Sequence, residues 1–285
     1  MTVDVELQYR QHLTAGDREL VGRVTGGADL LRALAHPDLE AAVFRPEPPT
    51  RGAGGGSQAA LDRWDGPSPF LTFSVAVHRT AARLERASFV EERLAPRRRI
   101  PVFDVAPLRN LLADPLHRYF LVELLASYTK VSSGVAWTWT RRGWHRRRFS
   151  ELDPVRLAGL LEVVDPTERA GIYRRLGDLA LFLTGVFPDR GPDRLGAVGT
   201  ARLLRLSGLP PDRGDGVAPV DLLEVLGIRW YRLAARAVTG AGLPLSASAA
   251  VTGTMGDRFG DARRVLNLVA DDFLFPLRDR YFGAV

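Results

Sequence analysis

The chain has 285 residues, 46% hydrophobic and 25% charged, which suits a globular protein with one large core or two modest ones. It contains no cysteine, and this excludes disulfides, thiolate nucleophiles and every cysteine-based zinc or iron–sulfur site. The net charge of +6 is uneven: residues 1–150 carry 22 basic and 16 acidic side chains, residues 151–285 carry 17 of each.

Lys130 is the sole lysine, so the abundance of arginine is a compositional bias, and only its location is informative. The N-terminal MTVDVELQYRQHL has no apolar run and predicts no secretory leader. Leu176 to Phe187 is the densest apolar stretch, about half of a membrane span, and it contains Asp178. A cytoplasmic location is expected.

Residues 1–27 show weak periodicity, and a short helix is expected over 28–35, where Leu30, Leu31 and Leu34 share a face. The run PEPPTRGAGGGSQ, residues 46–58, reads as a surface linker. Its glycines lack the Gly-Lys pair of a phosphate-binding loop. Over 70–78, Leu71, Phe73, Val75 and Val77 alternate with Thr72, Ser74 and Ala76, which predicts a half-buried strand. With further candidates at 88–94 and 99–105, this gives a small antiparallel sheet over about 70–105. Helical text follows from Pro107 to Lys130, with Leu116, Phe120, Leu121, Leu124 and Leu125 as its stripe. No short turn is evident within it, so a winged helix-turn-helix is not supported.

Residues 135–149, VAWTWTRRGWHRRRF, predict a β-hairpin; a two-residue turn at Arg142–Gly143 sets Trp139 opposite Arg146 and Trp137 opposite Arg148, and a three-residue loop shifts the register by one. Beyond Ser150 the pattern is helix after helix. Asp153 and Asp165 act as caps, each followed by proline. Ile172, Leu176, Leu179, Leu183 and Val186 form one stripe, and apolar neighbours widen it almost all round. Helices near 195–206 and 219–237 follow, and a last one shows Phe259, Ala262, Leu266, Val269 and Phe273. The fold expected is α+β, mainly α: a small N-terminal antiparallel sheet, a basic β-hairpin and a C-terminal antiparallel helical bundle. Three parts are expected: 1–58, 59–149 and 150–285.

The segment from Tyr173 to Pro188, Y-R-R-L-G-D-L-A-L-F-L-T-G-V-F-P, resembles the Y-x-x-L-G-D-x-x-L-F signature of a group of bacterial helical proteins without a known activity. A second pattern of that group is similar to Leu226-Gly-Ile-Arg-Trp-Tyr231. The resemblance covers about the last 130 residues; it implies a shared helical fold and no chemistry.

Several constellations of residues bear on chemistry. Five arginines (Arg141, Arg142, Arg146, Arg147, Arg148), His145 and the tryptophans Trp137, Trp139 and Trp144 lie in 13 residues without an acid. Guanidinium groups on phosphates with an indole on a base would make this a nucleic-acid or anion site; packing of the indoles on a helix is the structural alternative. Arg93, Arg97, Arg98 and Arg99 could extend it, although Glu91 and Glu92 partly neutralise them.

Asp178 beside Gly177 reads as a structural acid paired with an arginine. Asp257, Asp261, Asp271 and Asp272 lack the histidines of a di-iron bundle, so no metal and no cofactor is expected. Ser127 and Lys130 fit Ser-x-x-Lys, but no companion Lys-Thr-Gly is possible with one lysine. The leading expectation is a non-catalytic protein that holds nucleic acid or another anion on its hairpin. The alternatives are a protein–protein scaffold or homo-oligomer built on the tryptophans, and an enzyme with a pocket between bundle and sheet, lined by groups such as Asp178, Tyr173 and Tyr231.

Overall fold

A computed structural model describes residues 4–44, 66–95, 98–140, 143–188, 195–214, 216–240 and 247–275. The linker expected over 46–58 lies outside them. Four short helices open the chain: α1 (Val5–His12), α2 (Ala15–Thr25), α3 (Leu30–Leu34) and α4 (Pro37–Phe44). Asp4, Thr14 and Asp29 cap the first three by accepting backbone N–H groups. The Asp17 carboxylate returns the bond of Thr14 in a capping box and also accepts the Ser68 N–H at 2.8 Å. One buried acid thereby ties the start of α2 to the start of α5 (Pro69–Arg86).

Helix α5 corrects the strand expected over 70–78. Ser68 caps it and Pro69 sits in its first turn, a start signal that the alternation masks. Residues Phe70 to His78 are all buried, so no polar face exists to reveal a 3.6-residue period. The hydroxyls of Thr72, Ser74 and Thr80 are satisfied inside the helix by the carbonyls four residues back. His78, wholly buried, shares a 3.0 Å hydrogen bond with the Tyr9 hydroxyl of α1. Burial, reinforced by the positive charge of Arg118, pushes its pKa down to about 3, so the ring that anchors α1 is neutral.

The sheet is therefore only β1 (Val90–Ala95) and β2 (Arg98–Val102), antiparallel, with Val90 opposite Val102. The helical text after it divides into α6 (Ala106–Ala113) and α7 (Pro115–Ser127). Asp114 ends one helix and caps the next, and Pro115 has no N–H to continue the first. This is the short break that sequence patterning overlooks. The second ribbon comprises β3 (Ser133–Thr140) and β4 (Gly143–Ser150).

The C-terminal half contains α8 (Pro154–Ala158), α9 (Arg169–Val186), α10 (Ala197–Ser207), α11 (Pro219–Gly240), α12 (Ala247–Asp257) and α13 (Phe259–Val269), with a π-helical turn at Ala270–Leu274. Helix α12 is not expected from sequence: its text, ASAAVTGTMGD, is too small and uniform to show a stripe. The fold is α+β, mainly α, with one core cluster running from Tyr9 to Leu274. No helix among the described residues is long and apolar enough to cross a membrane.

Glycines set the spacing of the central helices. A Cβ at Gly177 would lie 2.6 Å from the Tyr231 ring, and one at Gly227 would lie 2.4 Å from Phe259 and 2.9 Å from Ala180. These contacts run 177 to 231 and 180 to 227, so α9 and α11 are antiparallel. Gly185 packs against Leu266 of α13 in the same way, 2.7 Å from a Cβ placed there. At Gly171, by contrast, a Cβ meets nothing within 4 Å. Gly227→Ala is expected to destabilise the protein by about 1–3 kcal/mol through overpacking. Gly171→Ala is expected to stabilise it by about 0.5–1 kcal/mol through helix propensity. Urea unfolding of the two variants checks both signs.

Candidate functional site

The hairpin named by the sequence is present as a ribbon, with a corrected register. Thr140 pairs with Gly143, so the chain reverses one residue earlier than the Arg142–Gly143 turn expected. Trp139 is then opposite Trp144, not Arg146, and Trp137 is opposite Arg146, not Arg148; Arg148 faces Val135. Arg141 and Arg142 lie outside the described residues. Of Trp137, Trp139, Trp144, His145, Arg146, Arg147 and Arg148 the backbone alone is described. Elsewhere in the front half, Arg83 and Arg99 are ion-paired to Asp272 and Asp271 of the rear half, so part of the positive excess is neutralised across the molecule.

Side chains converge instead between α7 and α9. The Asp114 carboxylate accepts the Leu116 N–H at 2.9 Å and fixes the start of α7, so Phe120, Glu123, Leu124 and Ser127 recur at helical spacing on one face. On α9, Gly171, Arg174, Arg175 and Asp178 follow the same rule. With His12 from α1 and Phe70 from α5 they line a cavity of about 480 Å³, within the size range of small-molecule sites. The His12 ring is stacked on Phe70, with centroids 4.8 Å apart.

Asp178 is the deeper of the two acids that line the cavity. Its Oδ1 accepts the Tyr231 hydroxyl at 2.8 Å, and its Oδ2 lies 3.9 Å from Nε of Arg174. Burial raises its pKa above the usual carboxylate range, and the opposing effects of Arg174 and the Tyr231 bond do not restore it. Burial and Asp178 likewise raise the Tyr231 phenol well above its ordinary value. Nη2 of Arg174 lies 3.5 Å from Glu123, which also accepts the Tyr119 hydroxyl at 3.1 Å.

Arg175 donates to Ser127 Oγ at 2.7 Å, approaches Glu151 at 3.3 Å and stacks 4.0 Å from the centroid of the Tyr128 ring. Tyr128 is itself stacked on Phe182. Its buried hydroxyl and the buried Nε of Arg175 have no hydrogen-bond partner among the described residues.

The sequence reading therefore names Asp178 and Tyr231 but not their setting. Asp178 lines the cavity and Tyr231 stands behind it; Tyr173 is not among the lining residues. His12, Glu123, Arg174 and Arg175 went unnoticed. The available signal was polar residues at three- and four-residue spacing beside apolar stripes. A second cavity, about 310 Å³, does lie between bundle and sheet, lined by Arg83, Phe89, Arg99, Asp271 and Asp272 among others. Two of its three acids, Asp271 and Asp272, are the ones already paired with arginine; the third is Glu91. Asp257 and Asp261 are likewise ion-paired, to Arg232 and Arg258. Ser127 Oγ donates to the Leu124 carbonyl as well as accepting from Arg175, so it makes no pair with Lys130 of the Ser-x-x-Lys match.

Comparisons with known proteins find no matching family model, no similar curated protein and no similar solved structure. The site has to be read from its own chemistry. Because burial raises the pKa of Asp178, its ionisation weakens the fold: stability contributed by the protonated acid declines as pH rises from about 4 through the folded pKa. Tyr231→Phe removes the donor that opposes this and is expected to destabilise by about 1–3 kcal/mol, more at pH 8 than at pH 5. Asp178→Asn keeps an acceptor for Tyr231 and is expected to stay within about 1 kcal/mol of the parent. Denaturant midpoints at the two pH values test both.

Proposed function

We propose that this is a cytoplasmic ligand-binding protein whose site is the cavity between α7 and α9. The observation that carries the reading is a buried acid, Asp178, held by Tyr231 at one end of a ligand-sized cavity, with Glu123, Arg174 and Arg175 converging beside aromatic walls. Apolar walls with a few placed polar groups and a displaced pKa are the usual marks of a binding site. Asp178 also falls within the Tyr173–Phe182 segment on which the resemblance to a group of bacterial helical proteins rests.

The test uses a plug. Gly171 lines the cavity and has open space at its Cβ position, so Gly171→Trp fills the mouth without disturbing the helix. Ligand-observed NMR with a library of small polar compounds is expected to give hits that the plugged variant loses while its melting temperature is unchanged. Hits of equal strength in both proteins, or none in either, would overturn the reading.

A second reading keeps the ribbon as a surface for nucleic acid or another polyanion. What supports it is the observed register, which, like the expected one, sets Trp137, Trp139, Trp144, Arg146 and Arg148 at matched alternate positions of β3 and β4. Single-stranded DNA is then expected to bind with an affinity that falls steeply with salt, and the triple change Arg146→Ala, Arg147→Ala, Arg148→Ala is expected to remove binding and leave the melting temperature unaltered. A shift assay across a salt series decides it, and affinity unaffected by the triple change would dismiss the ribbon.

A further inference from the structure

On the reading of the cavity as the binding site, we infer that its ligand is a small primary amine, whose ammonium group sits between Glu123 and Asp178 and whose body lies on the aromatic wall. Each of these acids has one oxygen in use and one open. Oε1 of Glu123 accepts the Tyr119 hydroxyl at 3.1 Å, and Oδ1 of Asp178 accepts the Tyr231 hydroxyl at 2.8 Å. Oε2 and Oδ2 accept no hydrogen bond from a described residue. What faces them is Arg174, at 3.5 and 3.9 Å, beyond ordinary hydrogen-bond length. Both side chains line the cavity, Glu123 36% and Asp178 12% exposed, so a ligand inside it reaches them.

The space between the two acids already holds a cation. The Arg174 guanidinium stands between the carboxylates, its central carbon 5.4 Å from the centroid of the Phe120 ring, and an aromatic face at that distance attracts positive charge. Its contacts with the acids are long, and a third of its side chain is exposed, so it can turn outward when a better-fitting cation enters. A primary ammonium is compact and carries three N–H donors, enough to reach both open oxygens at close range. Hydrogen bonds between charged partners are the strong ones. Phe70, Phe120 and Leu124 supply the wall for the organic body.

Charge balance points the same way. Three carboxylates, Glu123, Asp178 and Glu151, surround two guanidinium groups, Arg174 and Arg175, and Arg175 is engaged by Glu151 at 3.3 Å and by Ser127. With Asp178 ionised, one negative charge is left over, and burial holds Asp178 toward its protonated form. An entering monocation supplies the missing charge, so Asp178 gives up its proton as the amine binds. Affinity for the amine therefore rises with pH through the raised pKa of Asp178. The groups that face Asp178 are Arg174 and Arg175 on its own helix, Tyr231 of α11, and Glu123 and Tyr128 at the α7 side. Burial keeps both phenols protonated in this range. His12 also lines the cavity, and its protonation repels an amine with the same sign of pH dependence, so the test must separate the two.

The probes are four compounds with one ring and different heads: benzylamine, benzyltrimethylammonium, benzyl alcohol and benzoate. Each is titrated into the full chain at low salt by calorimetry or NMR, alongside the Gly171→Trp protein. Benzylamine is expected to bind at least ten-fold more tightly than benzyl alcohol, with benzoate weakest, and to lose its binding on plugging. Benzyltrimethylammonium, which has the charge without an N–H, is expected to bind several-fold more weakly than benzylamine; equal binding would overturn the seat on the two oxygens. Glu123→Gln and Asp178→Asn are each expected to weaken benzylamine ten-fold or more. Its affinity is expected to rise between about pH 5 and pH 7 in the parent and in His12→Gln, but not in Asp178→Asn. A rise that survives in Asp178→Asn and disappears in His12→Gln would overturn the assignment. Benzyl alcohol or benzoate binding as tightly as benzylamine, and lost on plugging, would overturn the amine and leave the cavity reading standing. So would silence of all four probes toward a protein that still gives library hits sensitive to the plug. Benzylamine bound equally by the parent and the plugged protein would remove the cavity reading and the assignment together.

Discussion

The arrangement depends on one constraint: Asp178 is buried, and Tyr231 must reach it. A carboxylate removed from water is strongly unfavourable unless it is hydrogen-bonded or gives up its charge. Here both happen in part, through a 2.8 Å bond from Tyr231 and a raised pKa. The bond spans two helices, so it fixes how α9 and α11 are turned about their axes. Gly177, next to Asp178, lets the Tyr231 ring pass close to the α9 backbone, and Gly227, one turn before Tyr231, admits Phe259. Acid, phenol and glycines are thus one device. A side chain at either glycine would hold the helices apart and carry the hydroxyl out of reach.

Setting α9 in this way aims its other residues. Arg174 and Arg175, one turn before Asp178, meet Glu123 and Ser127 of α7, and the gap between these two rows is the cavity. The N-terminal helices complete it from the side. His12 reaches the cavity because α1 is pinned by Tyr9 to His78 in the middle of α5. Residues far apart in the chain therefore close one pocket, and the polar groups in it differ in how fully they are satisfied.

The basic ribbon stands apart from this logic. It gains its identity from composition, arginine and tryptophan without an acid, and the register of β3 against β4 adds order to that composition. The rest of the front half's positive excess is less available than a residue count suggests, since Arg83 and Arg99 answer acids at the end of the bundle. Charge counted along a sequence is blind to such pairing across the fold.

Local signals were legible wherever one residue type has one local use. Asp153 and Asp165 followed by proline announce helix starts, and the alternation around Trp137 and Trp139 announces a ribbon. Periodicity failed where burial erased it. The first half of helix α5, Phe70 to His78, has no wet side, so its β-branched and aromatic residues read as a strand, and α12 is too uniform to read at all. The site was legible only in fragments: Asp178 and Tyr231 stand together among the candidates for a pocket lining, but they are 53 residues apart and nothing local points to the bond between them. By itself the sequence determined the helix starts at Asp153 and Asp165, the two hairpins, the absence of cysteine chemistry and the asymmetry of charge, because each depends on near neighbours or on composition. Which acids are paired, which donors are left over and where a cavity remains were decided only by tertiary packing, since each is a property of groups that meet across helices.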